Sequence, residues 1–118
     1  MPSGQEVRLT DPNTGAQKAM KLERYDLVPW DAMDKVAAVY GFGCQKYADR
    51  NWEKGYKWGW SLGALVRHVA KFATGEWLDP ESKLPHLAHA AWHCLAIIAF
   101  HDRKKGENDI YGQDKEEA

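Results

Sequence analysis

The stretch "PHLAHAAWHCLAIIAFHDRKK", residues 85–105, decides how this chain folds. A proline suits the first turn of a helix, and the basic residues gathered at the far end sit where a helix dipole favours cations. The spacing therefore predicts a helix from Pro85 to about Lys105. With about 100° between successive residues, Leu84, Leu87, Ala91, Leu95 and Ile98 form one stripe, and His86, His89 and His93 form another. Ala90, Trp92, Ile97 and Phe100 fill the gaps between them. A helix apolar nearly all round has to be enclosed by neighbours.

Two further helices are legible upstream. In "VPWDAMDKVAAVYGFGCQKY" the apolar residues Trp30, Met33, Val36, Ala37, Tyr40 and Cys44 recur every three or four positions, which predicts a helix over 29–47. Gly41 and Gly43 weaken its second half. In "SLGALVRHVAKFATG", Ser61 is a candidate N-cap, Leu62, Leu65, Val69 and Phe72 make a stripe, and Gly75 supplies the stop, which predicts a helix over 62–74. The intervening "ADRNWEKGYKWGW" has no periodicity and reads as a loop presenting side chains to solvent or ligand. Residues 1–25 read as an extended or disordered arm, residues 26–105 as an all-α domain, and residues 106–118 as a charged tail that frays. Three helices of this length cannot enclose the third by themselves. The expected architecture is a small all-α bundle of about three main helices, completed by oligomerisation as a dimer or tetramer.

At 118 residues the chain is long enough for a single core. A formal charge of -1 gives no electrostatic footprint for duplex nucleic acid. No apolar run approaches a membrane span and the N-terminus is too polar for a signal peptide, so a cytoplasmic protein without membrane attachment is expected. Cys44 and Cys94 lack a CxxC spacing and read as buried free thiols. Six tryptophans exceed what a small core needs, and Trp52, Trp58 and Trp60 serve either a ligand or a subunit interface.

The chemistry concentrates in three groups. His86, His89 and His93 project from one side of the third helix, with His68 on the helix before it. They read either as ligands to a metal or a phosphate, or as buried polar groups satisfied by neighbours. Glu76, Asp79 and Glu81 crowd like charges into six residues, which invites a divalent ion of the hard type, Mg²⁺ or Mn²⁺, unless the turn is merely solvated. Arg50 and Arg67 carry forks able to grip a phosphate, with Lys54 adding charge between them. Asn51 and Trp52 have the make-up of a nucleobase pocket. No P-loop, Rossmann, hydrolase-elbow or zincin motif is present, and His101-Asp102 is a poor candidate for a metal phosphohydrolase dipeptide beside its basic run.

The segments "RYDLVPWDAMDKVAAVYGFGCQKYADRNW", "LGALVRHVAKFATGE" and "LDPESKLPHLAHAAWH" together resemble phage and prophage dATP/dGTP diphosphohydrolase domain proteins, relatives of the MazG-like all-α nucleotide pyrophosphohydrolases. The resemblance spans residues 24–103. It implies an oligomer that hydrolyses a purine deoxynucleoside triphosphate to a monophosphate and pyrophosphate with Mg²⁺, adjusting nucleotide pools in the phage-infected host cell. MazG-like enzymes carry facing ExxE and ExxD sets, whereas here the second and third helices offer Arg67, His68, His86, His89 and His93. On the enzyme reading Glu76, Asp79 and Glu81 hold the metal and His68, His86 and His89 orient water or stabilise phosphoryl charge. Arg50 and Arg67 then clamp phosphate, Asn51 and Trp52 recognise the base, and Lys54 and His93 complete the substrate-binding set. The alternative is a sponge without turnover that sequesters a nucleotide immune signal.

Overall fold

The computed structural model describes residues 6–112. The element order is β1 (Glu6–Thr10), β2 (Gln17–Lys21), a 3-10 turn (Tyr25–Leu27), α1 (Trp30–Gly43), a second 3-10 turn (Asn51–Lys54), α2 (Trp58–Ala73) and α3 (His86–Arg103). Three helices dominate, as the periodicity predicts, and a small antiparallel sheet accompanies them. The chain divides into two compact units, Met1–Trp30 and Asp31–Ala118.

For residues 6–25 the first unit corrects the reading of an extended or disordered arm, while residues 1–5 lie outside the described residues. β1 and β2 pair in the register Glu6 with Lys21 through Thr10 with Gln17. The turn "DPNTG" makes the hairpin: Asp11 Oδ1 accepts the backbone N–H groups of Asn13 and Thr14 at 2.8 and 3.0 Å. Gly15 takes a left-handed φ of +78°. An Asx turn closed by a left-handed glycine is a hairpin signal that does not depend on strand periodicity.

In the second unit α1 ends at Gly43, four residues short of the predicted end, after two glycines that each cost roughly 1 kcal/mol against alanine. Val36 and Val39 of α1 are buried against Ala88 of α3, with Met33, Tyr40, Leu84, Ala91 and Trp92 packed around them. A second cluster joins Trp58, Ala96 and Phe100, flanked by Trp52, Tyr56, Trp92 and Ile97. The rings meet edge to face or tilted, Tyr56 on Phe100 at 5.0 Å and Tyr40 on Trp92 at 5.7 Å. α2 and α3 pack along their lengths.

α2 begins at Trp58 rather than at 62, and Ser61 is a buried residue inside it rather than its cap. Residues 105–112 explain the earlier start. Trp58 N–H donates to the Glu107 carbonyl at 3.0 Å, and Gly59 N–H donates to Asp109 Oδ1 at 2.8 Å. Asp109 thus does from 50 residues away what an N-cap side chain does locally, placing an anion at the positive end of the helix. Trp58 Nε1 donates to the Lys105 carbonyl, and the buried Asn108 accepts from Ile110 and Tyr111 N–H. The segment read as a fraying tail is docked as far as residue 112, and its remainder lies outside the described residues.

Both cysteines are free, as expected, but exposed rather than buried. The apolar stripes are displaced too. α2 turns Ser61, Ala64, Leu65 and His68 inward and leaves Leu62, Val66, Val69 and Phe72 exposed. α3 buries His86, Ala88, His89, Ala96 and Phe100 and leaves Leu87, Leu95 and Ile98 exposed. No described helix is long and apolar enough to cross a membrane.

Candidate phosphate and metal pocket

Pro85 starts α3 after a tight turn that aims its histidines. Asp79 N–H donates to the Leu84 carbonyl at 2.8 Å, Lys83 N–H donates back to the Asp79 carbonyl, and Lys83 itself has a left-handed φ of +64°. His86 N–H donates to the Trp77 carbonyl at 3.0 Å. The turn lays residues 76–82 alongside the first two turns of α3, and α2 brings His68 against the same spot. Four histidines meet there. His68 stacks on His89 with centroids 4.6 Å apart and planes 8° from parallel, and His93 lies beyond at 6.2 Å.

Each ring is held by a neighbour. His68 and His86 share a hydrogen bond between their Nδ1 atoms at 2.8 Å, and His86 Nε2 lies 2.7 Å from Glu76 Oε1. His89 Nε2 and Ser82 Oγ are 2.7 Å apart, while Ser82 N–H donates to Asp79 Oδ2 at 2.8 Å. His93 Nδ1 bonds Ser61 Oγ at 2.9 Å, and Ser61 bonds Tyr56 OH at 2.6 Å. Among the described residues no buried side-chain polar atom lacks a partner.

This environment suppresses positive charge. Burial, reinforced by His89, Arg67 and His86, pushes His68 down to about 4. Burial, with His89 and Arg67, does the same to His93, and burial also lowers His89. The His68, His89 and His93 rings are neutral at pH 7 and can each present a lone pair or an N–H. Burial pushes Asp79 up, but hydrogen bonds from Ser82 and the nearby His89 and His68 outweigh it and hold the carboxyl below its ordinary value.

The stacked histidines line a cavity of about 870 Å³. Of the residues singled out in the sequence, it brings together Arg50, Asn51, Trp52, Arg67, His68, Asp79, Glu81, His89 and His93. Lys54, Glu76 and His86 are not among the lining residues: Lys54 is exposed on the 3-10 turn, and His86 is buried behind His68 with Glu76 as its partner. The three carboxylates do not gather about one point. Glu76 is paired with His86, and Glu81 pairs with Lys46 Nζ at 2.7 Å. Among the described residues, the set of three or more ligand atoms within 4.8 Å of one another is His68, Asp79 and His86. His101 and Asp102 lie outside the cavity lining.

Lining residues that sequence reasoning missed include Lys46, Tyr56 and Ser61, and Ser82 was missed as the partner of His89. Ser61 had a signal: it precedes His68 by two helical turns and so shares its face. Of the tryptophans left open between ligand and interface, Trp58 is core, Trp52 lines the cavity with Arg103 over its ring at 5.7 Å, and Trp60 stacks on Tyr56 at 5.8 Å while 66% exposed.

A helical unit with two arginines, one bonded to Glu53 and one to His68, exposed aromatic surface and uncharged imidazoles around one cavity is the kind of site that takes a phosphorylated, ring-bearing small molecule. The family described as "dATP/dGTP diphosphohydrolase, N-terminal" matches residues 12–110, and the chain belongs to it. No curated protein and no solved structure matches the chain.

Proposed function

We propose that the cavity binds a purine deoxynucleoside triphosphate, dATP or dGTP, and hydrolyses it between the α and β phosphates to a deoxynucleoside monophosphate and pyrophosphate. The observation that carries this reading is that residues of a diphosphohydrolase family line a cavity of about 870 Å³ combining phosphate forks with neutral histidines. That volume suits a nucleotide-sized ligand. Arg50 and Arg67 grip phosphate oxygens, and Lys46 adds a point charge once the ligand competes with Glu81 for it. Asn51 reads a base edge, Trp52 walls the site, and Trp60 offers an open ring face for the base. His68 and His89 meet the attacking water and the phosphoryl oxygens as uncharged donors or acceptors, His93, anchored by Ser61, faces the ligand beside them, and His86 is a positioning residue that fixes His68.

A divalent cation, Mg²⁺ by the resemblance or Mn²⁺ by its like chemistry, would be held through Asp79 and would neutralise phosphate charge and acidify a bound water. The residues fit a hard-oxygen Mg²⁺ cage poorly, because Glu76 and Glu81 are engaged elsewhere and the atoms beside Asp79 are imidazole nitrogens. That pairing favours the second reading, a sponge that holds a nucleotide without turnover. Incubation with a panel of deoxynucleotides and cyclic nucleotides, with divalent ion or EDTA, separates the two. Pyrophosphate release that is lost in Asp79→Asn supports hydrolysis; unchanged nucleotide recovered only after heat denaturation sinks it.

The exposed stripes Leu62, Val66 and Val69 on α2 and Leu87, Leu95 and Ile98 on α3 support a homo-oligomer, dimer or tetramer, in which a second copy covers them. The setting this function implies is nucleotide-pool control in the cytoplasm of a phage-infected host.

A further inference from the structure

The pair of Nδ1 atoms 2.8 Å apart in the middle of the histidine stack has a chemical requirement of its own. A carboxylate only accepts, so His86 Nε2–H donates to Glu76 Oε1, and in the tautomer that carries its proton there His86 turns its Nδ1 lone pair toward His68. In the absence of an ion, His68 Nδ1–H supplies that lone pair with a proton, consistent with Arg67 Nη2 facing the other ring nitrogen of His68 at 3.4 Å. A metal ion can take the place of the shared proton. Asp79 completes the set, with one ligand atom from each residue within 4.8 Å of the others, two of the three residues buried and the third half-buried.

We propose that His68 Nδ1, His86 Nδ1 and the Asp79 carboxylate hold one divalent ion of the borderline class, Zn²⁺ to Mn²⁺, with Glu76 as the carboxylate that orients His86. Two imidazoles and one carboxylate suit first-row transition ions and leave coordination positions open toward the cavity; a hard ion that prefers all-oxygen surroundings gains little from them. The Glu76–His86 bond is the second observation, because a metal-bound histidine characteristically donates its other N–H to a carboxylate, which fixes both tautomer and ring orientation. Metallation of His68 at Nδ1 moves its proton to Nε2, which ends acceptance from Arg67 and frees that guanidinium for phosphate. The centre extends the proposed function by naming the resident ion, yet it is testable without nucleotide.

The test is calorimetric titration of EDTA-stripped, full-length protein with Zn²⁺, Mn²⁺, Co²⁺ and Mg²⁺ alone, done in a Cys44→Ser/Cys94→Ser background because the exposed thiols could bind Zn²⁺ themselves. One ion per chain is expected, with Zn²⁺ and Co²⁺ held at least about 100-fold more tightly than Mg²⁺, and Co²⁺ should show the visible absorption of a nitrogen-ligated site. Glu76→Gln should weaken Zn²⁺ by about 10–100-fold, and Asp79→Asn by at least as much, while circular dichroism stays native. Both variants leave the buried histidines in place, so folding does not decide the outcome. Zn²⁺ binding unchanged in both, Mg²⁺ bound as tightly as Zn²⁺, or no ion bound at all would overturn the centre. A protein that binds no Zn²⁺ yet releases pyrophosphate with Mg²⁺ loses this inference and keeps the proposed function; one that binds Zn²⁺ through these residues without turnover does the reverse.

Discussion

Acidification should unfold this protein by way of its histidine stack. His68 and His93 stay neutral in the folded state down to about 4, against 6.5 for an ordinary histidine. Between those values the unfolded chain takes up protons that the folded chain refuses, so stability falls as pH falls from 6.5 toward 4 and is flat above it. At about 1.36 kcal/mol per unit, a shift of about 2.5 units has a ceiling near 3.4 kcal/mol for each ring. Both rings line the cavity, where solvent screening leaves roughly a third of that, about 2 kcal/mol for the pair. For a domain of this size the loss corresponds to a melting temperature about 6–10 °C lower at pH 4.5 than at pH 7. The assay is thermal unfolding in EDTA, followed by circular dichroism, of the wild-type protein and His93→Gln, whose amide can still bond Ser61. The variant should lose about half of the histidine contribution. Carboxylates titrating near the lower limit are common to both proteins and cancel in the comparison. Equal losses in the two proteins, or a wild type that gains stability on acidification, would refute the reasoning.

Further outcomes follow from the packing. Gly106→Ala should destabilise by about 2–4 kcal/mol, because Gly106 has a φ of +71° and a Cβ there would collide with the Tyr56 carbonyl oxygen; the urea midpoint should fall with an unchanged slope. Asp109→Ala should destabilise by about 1 kcal/mol, read from the same midpoint, by removing the anion bonded to Gly59 N–H at the start of α2. Phe100→Ala should cost about 3–5 kcal/mol, since Phe100 is fully buried against Tyr56 and Trp52. Ile98→Lys, at a position 57% exposed in the single chain, should leave folding intact and shift the light-scattering mass toward a monomer; an unchanged mass would remove this face from any subunit contact.

Helix number and order were legible because helical periodicity is local: each of α1, α2 and α3 overlaps its predicted span. That His68, His89, His93, Asp79, Arg50 and Arg67 line one cavity is decided by the fold, since residue types name a chemistry without saying which side chains meet. The hairpin was missed although its signal was present, because Asp11 and Gly15 define the turn while the strands beside it lack alternation.

What the sequence by itself determined is the helical framework and the inventory of reactive groups, both set by short-range patterns. Only the tertiary structure decided which of those groups pair. Asp109 caps a helix 50 residues earlier in the chain, and Ser61 changes from a supposed cap to the anchor of His93. Glu76 turns from an expected metal ligand into the partner of His86, which in turn faces His68 from another helix. Periodicity assigns a residue to a face, but which atom that face meets depends on where a distant segment lands. That choice is what moves the candidate metal donors from three carboxylates to two imidazoles and Asp79.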